Sequence, residues 1–339
     1  MAESDPVGEL KACVVGAGEM GSHHINALSA MEGVALAGVS DGDEDRLRRA
    51  GRGRSFICYD DVARMLDELR PDFVIVSVPT DQHEAVALQC LEGGAHALVE
   101  KPVAENIESA LRMQARAVDK GLLLTVGHIE RFNPAVIALR QKLSEGVVGK
   151  VFQVVARRTG PFPPRVRDVG AIKDLATHDL DVIRFVFDSP FEFVFAQLAR
   201  HLHSTHEDLA SIVGRLENGA IASLDVNWLT PTKIRELRVV GEGGMYLVNY
   251  LRQDLTLYRN GELEPGFDAI ATFAGVSEGE VVRHPIPRKE PLVAELEAFS
   301  QAILSGGPAP VPVSEAIEAL RLAEAILGSA ERNEPVRLG

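Results

Sequence analysis

Residues 16–21 read Gly16-Ala17-Gly18-Glu19-Met20-Gly21, a GxGxxG that directly follows the apolar run Leu10–Val15 and opens a helical pattern over Met20–Met31. Glycines in this register restrict a fold severely. One allows a tight turn, the second lets the backbone approach a pyrophosphate, and the third lets the helix pack close to the strand. The helix start then offers free N–H groups and the positive end of its dipole to phosphates. Asp41 closes the next strand-like run, Val34–Val39. A carboxylate there suits the ribose hydroxyls of an adenosine and repels a 2′-phosphate. Glycines, strand and acid together predict a dinucleotide-binding domain that takes NAD. NADP is the less favoured cofactor, although Arg46 lies close enough in sequence to receive a phosphate.

Further short apolar runs follow at Phe73–Val78, His96–Val99 and Leu122–Val126, separated by helical patterns at Asp60–Leu69, Asp81–Leu91 and Asn106–Lys120. Strands buried on both faces and alternating with helices predict a doubly wound parallel sheet, the α/β Rossmann architecture, over residues 1–127. After residue 128 the rhythm changes. A helix (Pro134–Leu143), a strand (Val151–Arg158), the loop Gly160–Asp168 and a helix (Asp174–Phe187) lead into strand-length segments without intervening helices. These are Phe191–Leu198, Ala210–Glu217, Ala220–Trp228, Ile234–Gly241, Met245–Val248 and Leu255–Tyr258, with Asn218-Gly219 as a hairpin signal. They predict an α+β domain over residues 128–339, built on a large, mostly antiparallel, open-faced sheet. Two amphipathic helices, Leu292–Leu304 and Ser314–Arg332, close the chain, and the last is a candidate to pack back on the first domain.

With 339 residues the chain is long enough for two domains, and its formal net charge of -14 argues against nucleic acid or an anionic membrane as partner. No apolar run is long enough to span a bilayer, and the acidic start MAESDPVGEL lacks the features of a signal peptide. The expected compartment is the cytoplasm. Cys13, Cys58 and Cys90 form no CxxC pair; Cys13 and Cys58 lie in strand-like runs and are expected to be buried thiols.

Two further patterns carry chemistry. Glu100-Lys101-Pro102 ends a sheet strand, at the edge where ligands bind in open α/β sheets. A lysine held there can hydrogen-bond a hydroxyl undergoing oxidation. Asp174 and His178 lie four apart on a predicted helix and share a face, with Asp181 three further on. Histidine suits proton abstraction near neutrality, and a neighbouring carboxylate orients it; a helix start with dipole-compensating acids has the same appearance.

The segments GAGEMG (Gly16–Gly21), SVPTDQH (Ser77–His83), EKP (Glu100–Pro102), GHIERFNP (Gly127–Pro134) and DLATHDLD (Asp174–Asp181) resemble the Gfo/Idh/MocA oxidoreductases over almost the whole chain. The resemblance implies an NAD(P)-dependent dehydrogenase acting on a CH–OH group, with Lys101, Asp174 and His178 catalytic and a cis Lys101–Pro102 bond. It implies cofactor contacts from Gly16, Gly18, Glu19, Met20, Gly21, Asp41, Ser77, Pro79, Thr80, His83, Glu100 and Lys101. His23-His24 is expected near the cofactor or at the surface.

For the substrate, Arg157, Arg158, Arg165 and Arg167 crowd around the loop TGPFPP, and Arg131 is a further candidate. Forked guanidinium groups match phosphate or carboxylate. Lys101, Arg131, Arg157, Arg158, Arg165, Asp174 and His178 therefore form the expected substrate set. The run GHIERFNP, RRTGPFPPRVRDVG, DLATHDLD most resembles the nucleotide-sugar branch, whose UDP-N-acetylglucosamine 3-dehydrogenases oxidise a ring hydroxyl to a 3-keto sugar. A myo-inositol or free hexose dehydrogenase is the alternative; an NAD-using glycosidase without net oxidation and a nucleotide-sensing regulator are the alternatives of other classes. No metal is expected, since His201, His203 and His206 lack a matching carboxylate or cysteine. The alternation in Ala220–Trp228 leaves one sheet face to be covered, which predicts a homodimer or homotetramer.

Overall fold

The computed structural model describes residues 9–163, 169–261 and 277–338. The chain divides into two compact units, one running through Ile129 and taking in Glu290–Leu320, the other formed by Glu130–Lys289 with Arg321–Gly339.

The first unit is a six-stranded parallel sheet. Its strands are β1 (Leu10–Val15), β2 (Val34–Ser40), β3 (Ile57–Tyr59), β4 (Phe73–Val76), β5 (His96–Glu100) and β6 (Leu124–Gly127), in the order β3-β2-β1-β4-β5-β6. Its helices are α1 (Glu19–Ala30), α2 (Glu44–Gly51), α3 (Val62–Leu69), α4 (His83–Glu92) and α5 (Ile107–Lys120). Val74, Ile75 and Val76 are fully buried, as strands covered on both faces require. Strand order reverses between β1 and β4, so the crevice at their carboxyl ends is the switch point where such sheets bind ligands. Helix α8 (Pro291–Ser305) adds Leu292, Leu296 and Phe299 to the core of this sheet, with Phe299 edge-on to Phe73 at 5.5 Å between centroids. The Lys101–Pro102 bond is cis. Cys13 and Cys90 are buried but Cys58 is exposed. This corrects the expectation for Cys58, because β3 lies at the edge of the sheet and leaves that side uncovered.

The second unit begins with a short turn (Ile129–Phe132) and α6 (Pro134–Ser144), and carries α7 (Thr177–Phe187) after β7 (Val151–Pro161). The remaining strands are β8 (Phe191–Ala199), β9 (Leu209–Leu216), β10 (Ile221–Asn227), β11 (Leu229–Gly241), β12 (Gly244–Asn249), β13 (Asp254–Gly261), β14 (Ser277–His284) and β15 (Val336–Arg337). The nine strands run β14-β13-β12-β11-β7-β10-β9-β8-β15, all antiparallel except the β10–β7 pair. Asn218-Gly219 makes the predicted turn, with Gly219 at φ +89 and Asn218 Oδ1 accepting from Ala220 N–H. One face of the sheet is covered by residues from α6, α7 and the end of α9 (Val313–Arg332), such as Leu139, Leu180 and Ile326, against Val154, Ala156, Leu224 and Val226. Trp228 is 2% exposed and belongs to this core. The opposite face leaves Val213 and Ile221 more than 40% exposed.

Candidate active site

In the first unit three loops leave the sheet side by side, after β1, β4 and β5. Gly16 turns at φ +94, and a Cβ there would lie 2.5 Å from the Ser77 carbonyl oxygen; at Gly21 it would lie 1.8 Å from that of Gly16. Both glycines are required by packing. Gly18 is different: a Cβ would meet nothing within 4 Å, so its backbone is open to an approaching group. Gly18 also caps α1 without a side-chain hydrogen bond, which leaves the first-turn N–H groups to an external anion. A groove of about 430 Å³ runs past Ala17, Gly18, Glu19, Asn26, Arg46 and Arg54. Open glycine, uncapped helix start and groove together fit a dinucleotide pyrophosphate.

Asp41 accepts from Ala17 N–H at 2.7 Å and from Asp43 N–H at 2.8 Å, with Arg46 Nη1 at 3.8 Å. Its carboxylate is thus fixed beside the glycine turn, with lone pairs remaining for ribose hydroxyls. Ser77 braces the same turn, its hydroxyl donating to Gly16 O at 2.8 Å. Pro79 is exposed, and Met20 and Thr80 are half-buried beside this edge.

His83, 1% exposed, joins the other two loops: Nε2 faces Val78 O and Nδ1 faces Pro102 O, both at 2.9 Å. Carbonyls only accept, so the ring satisfies both as an imidazolium, while burial opposes that charge and holds its pKa below 6.5. Its place is that of a clamp between the SVPT and EKP segments. Glu100 likewise points inward, 2.7 Å from His24 Nε2, with His24 fully buried. Burial pushes the Glu100 carboxyl up, but the His24 hydrogen bond and the charges of His24, Lys101 and His83 outweigh it and bring it below 4.5. His24 is a core residue, not a surface one. Sequence reasoning missed this pair because nothing in the motif GxGxxGxxH says where its histidine points. Lys101 itself is half-buried at the end of β5.

In the second unit Asp174 lies in a π-turn, Ile172–Ala176, where Thr177 N–H reaches back five residues to Ile172 O, and His178 follows in the first turn of α7. The predicted single α-helix therefore starts with a wider turn, a feature concentrated at functional sites. Both side chains are half-buried. Arg131 gives a bidentate pair to Asp181 at 2.8 and 2.6 Å, and Arg158 one to Asp179 at 2.7 and 3.1 Å with Glu130 at 3.0 Å. The expectation that these two arginines reach a substrate anion does not follow from this geometry, since their forks are taken by carboxylates. Arg157 lies on the opposite sheet face, half-exposed and 3.5 Å from Asp225. Arg165 and Arg167 lie outside the described residues. His203 Nδ1 accepts from Thr205 and His206 N–H, and its ring stacks on Trp228. Among the described residues no three His, Cys, Asp or Glu side chains are grouped to hold a metal.

A parallel six-stranded sheet with an open glycine turn at its switch point defines a dinucleotide-binding domain, and comparison with known proteins makes it that of an NAD-binding oxidoreductase. Residues 10–128 match the model of the oxidoreductase family with NAD-binding Rossmann fold, and residues 136–247 that of the GFO/IDH/MocA C-terminal domain. The chain belongs to the Gfo/Idh/MocA family of sugar and polyol dehydrogenases. UDP-N-acetylglucosamine 3-dehydrogenase of Acidithiobacillus ferrooxidans is 28% identical over 300 residues, 88% of this chain and 90% of that one. Myo-inositol 2-dehydrogenase of Thermotoga maritima is 24% identical, covering 96% and 97%. The solved structure of the Acidithiobacillus enzyme, GnnA, superposes with a TM-score of 0.83 at 27% identity over 95% of this chain and 98% of that one. No helix among the described residues is long and apolar enough to cross a membrane.

Proposed function

We propose that the protein oxidises a ring hydroxyl of a nucleotide sugar, with UDP-N-acetylglucosamine as the candidate substrate. The observation that carries this reading is the likeness to a UDP-N-acetylglucosamine 3-dehydrogenase over nearly the full length of both chains, through the nucleotide domain and the sheet domain alike. Bound NAD supplies the hydride acceptor. The rest falls to the chain. Lys101 hydrogen-bonds the hydroxyl being oxidised, and His178 accepts its proton at a ring nitrogen, as an imidazole base positioned at the reacting group can do. Asp174 orients that imidazole and stabilises its charged form. Glu19, Met20, Ser77, Pro79, Thr80 and Glu100 shape the cofactor edge, and Asp41 takes the ribose.

The second reading, a myo-inositol or free hexose dehydrogenase, draws on the similarly complete match to the Thermotoga inositol enzyme. We further propose a cytoplasmic homo-oligomer formed through the open sheet face, where Val155, Ser223 and Val213 stand in register and Ile221 lies two positions from Ser223 along β10. Sedimentation at the 36.7 kDa of one chain would refute the assembly.

The deciding experiment follows NADH absorbance with UDP-N-acetylglucosamine, myo-inositol and glucose, with a carbonyl trap to pull the reaction forward. Signal from the UDP-sugar alone supports the reading, and signal from a free polyol moves the enzyme to the alternative. Silence with all three, despite NAD binding, favours a glycosidase or a regulator. Lys101→Ala and His178→Ala should each abolish turnover while NAD binding persists; near-normal rates in either would refute the assigned roles.

A further inference from the structure

On the helix-covered face of the second unit the arginines are spent in pairs. Arg131 is taken by Asp181, and Arg158 by Asp179 and Glu130. Arg235, on β11, stands directly across from Arg158 on β7 and so shares its face, the face that carries α7. It is half-buried, yet its hydrogen bonds run from Nη1 alone, to the backbone oxygens of Thr159 at 2.7 Å and Ile234 at 2.8 Å. Among the described residues no carboxylate lies within ion-pair distance of it, and Nε and Nη2 have no acceptor.

The direction of its titration agrees with this isolation. Burial, and after it the charge of Arg158, pushes the Arg235 guanidinium down to about 10, against the more distant acids Asp179, Glu130 and Asp174. A half-buried cation without a counter-ion is costly, whereas a guanidinium fork with two open donors matches an oxyanion in both charge and shape. The presence of Asp174 among the charges it senses sets it in the neighbourhood of the proposed catalytic segment.

We propose that Arg235 binds an oxyanion carried by the substrate, a phosphoester or a carboxylate on the sugar, and thereby selects charged sugars over neutral polyols. The inference rests on the sugar-oxidising reading above and assigns to Arg235 the anion contact that Arg131 and Arg158 are unable to make. Nothing in the sequence pattern marks this residue: it stands in a strand segment, Ile234–Gly241, that reads as ordinary sheet.

The test uses full-length enzyme saturated with NAD, comparing Arg235→Met and Arg235→Lys with the parent. Substrates are UDP-N-acetylglucosamine, N-acetylglucosamine 1-phosphate, glucuronate, N-acetylglucosamine and myo-inositol, with UDP and pyrophosphate as inhibitors. In Arg235→Met, kcat/KM for the charged substrate should fall by about 10- to 150-fold, mostly through KM, as expected for losing hydrogen bonds to a charged group. The loss should exceed that on neutral sugars at least tenfold, the anionic inhibitors should weaken in parallel, and Arg235→Lys should recover part of it. Equal losses on charged and neutral sugars would mean that Arg235 is only a strut between β7 and β11, and no loss would equally overturn the proposal. An enzyme silent with the UDP-sugar but dependent on Arg235 for a sugar phosphate or acid would sink the nucleotide-sugar reading and leave this one standing. Activity on the UDP-sugar that ignores Arg235 would do the reverse. Action on neutral sugars alone, uninhibited by either anion, would refute both.

Discussion

Arg157 and Arg158 are neighbours in one strand, and truncating each should have opposite consequences. Arg158 is 5% exposed and donates to Asp179, 0% exposed, and to Glu130; it also lies 5.2 Å from the centre of the Tyr250 ring. Arg158→Ala strands the Asp179 carboxylate inside the core, and breaking a buried pair from one side costs about 3–5 kcal/mol. At about 2–4 °C per kcal/mol for a unit of this size, the thermal midpoint of the second unit should fall by about 6–20 °C. Arg157 is 47% exposed, and its partner Asp225 46%. A surface pair at that distance contributes about 0–1 kcal/mol, so Arg157→Ala should move the midpoint by no more than about 4 °C. Circular dichroism melts at one protein concentration measure both, since assembly would shift the midpoint with concentration. The double variant Arg158→Met with Asp179→Leu should regain most of the loss, because an apolar pair leaves no charge stranded. Equal losses from the two arginines, or a double variant no better than Arg158→Ala, would refute the reasoning.

The remaining expectations need less apparatus. Asp41→Ala should raise kcat/KM for NADP relative to NAD by tenfold or more, because it removes the repelling carboxylate and frees Arg46, 3.8 Å away, for a 2′-phosphate; initial rates with both cofactors decide it, and unchanged selectivity would mean that the acid is not at the ribose. Native-state alkylation followed by mass spectrometry should label Cys58 and spare Cys13 and Cys90, whose thiols are buried and pushed up to about 12. Glu295 on α8 is fully buried, and burial, then the charges of Glu100 and Glu290, raise its carboxyl well above 4.5. The folded state therefore holds a proton that the unfolded chain releases, so Glu295 destabilises progressively as pH rises above 4.5 and is neutral below it. Glu295→Gln should accordingly stabilise at pH 8 and lose that advantage as pH approaches 4.5, with denaturant midpoints across the range as the readout.

The elements that sequence made legible are those whose apolar pattern the fold uses directly. Val74–Val76 are buried on both faces and read as a continuous apolar run; Ala222, Leu224 and Val226 alternate with the exposed Ile221 and the half-buried Ser223 and Asp225 and read as a half-buried strand. Helix α2 was illegible because only Leu47 and Ala50 of its eight residues are buried, too few to set a period. Strands β3, of three residues, and β15, of two, owe their form to a neighbouring strand rather than to their own composition. The same limit governs the site. Glycine spacing locates the cofactor turn because the constraint is local, one turn of backbone. The arginine cluster misled because partners are not local: Arg158 meets Asp179 across 21 positions and Arg131 meets Asp181 across 50. Sequence supplies charge, whereas only the fold says which charges are already neutralised.

The two buried pairs bear on catalysis through the helix they hold. Asp179 and Asp181 follow His178 by one and three positions, and at about 100° per residue they project from nearly opposite sides of α7. Each is gripped by a bidentate fork, Asp179 from strand β7 and Asp181 from the turn after β6, and a bidentate grip fixes orientation as well as distance. Two such grips on opposite sides leave α7 little freedom to rotate about its axis, and the direction of His178 is set by that rotation. Buried ion pairs are poor sources of net stability, since apolar residues of similar size often do as well. Their use here is to position the proposed base. The double variant that recovers the thermal midpoint is also the one that releases the grip on Asp179, so it separates the two contributions: stability returns with the stranded charge gone, while the alignment of His178 does not.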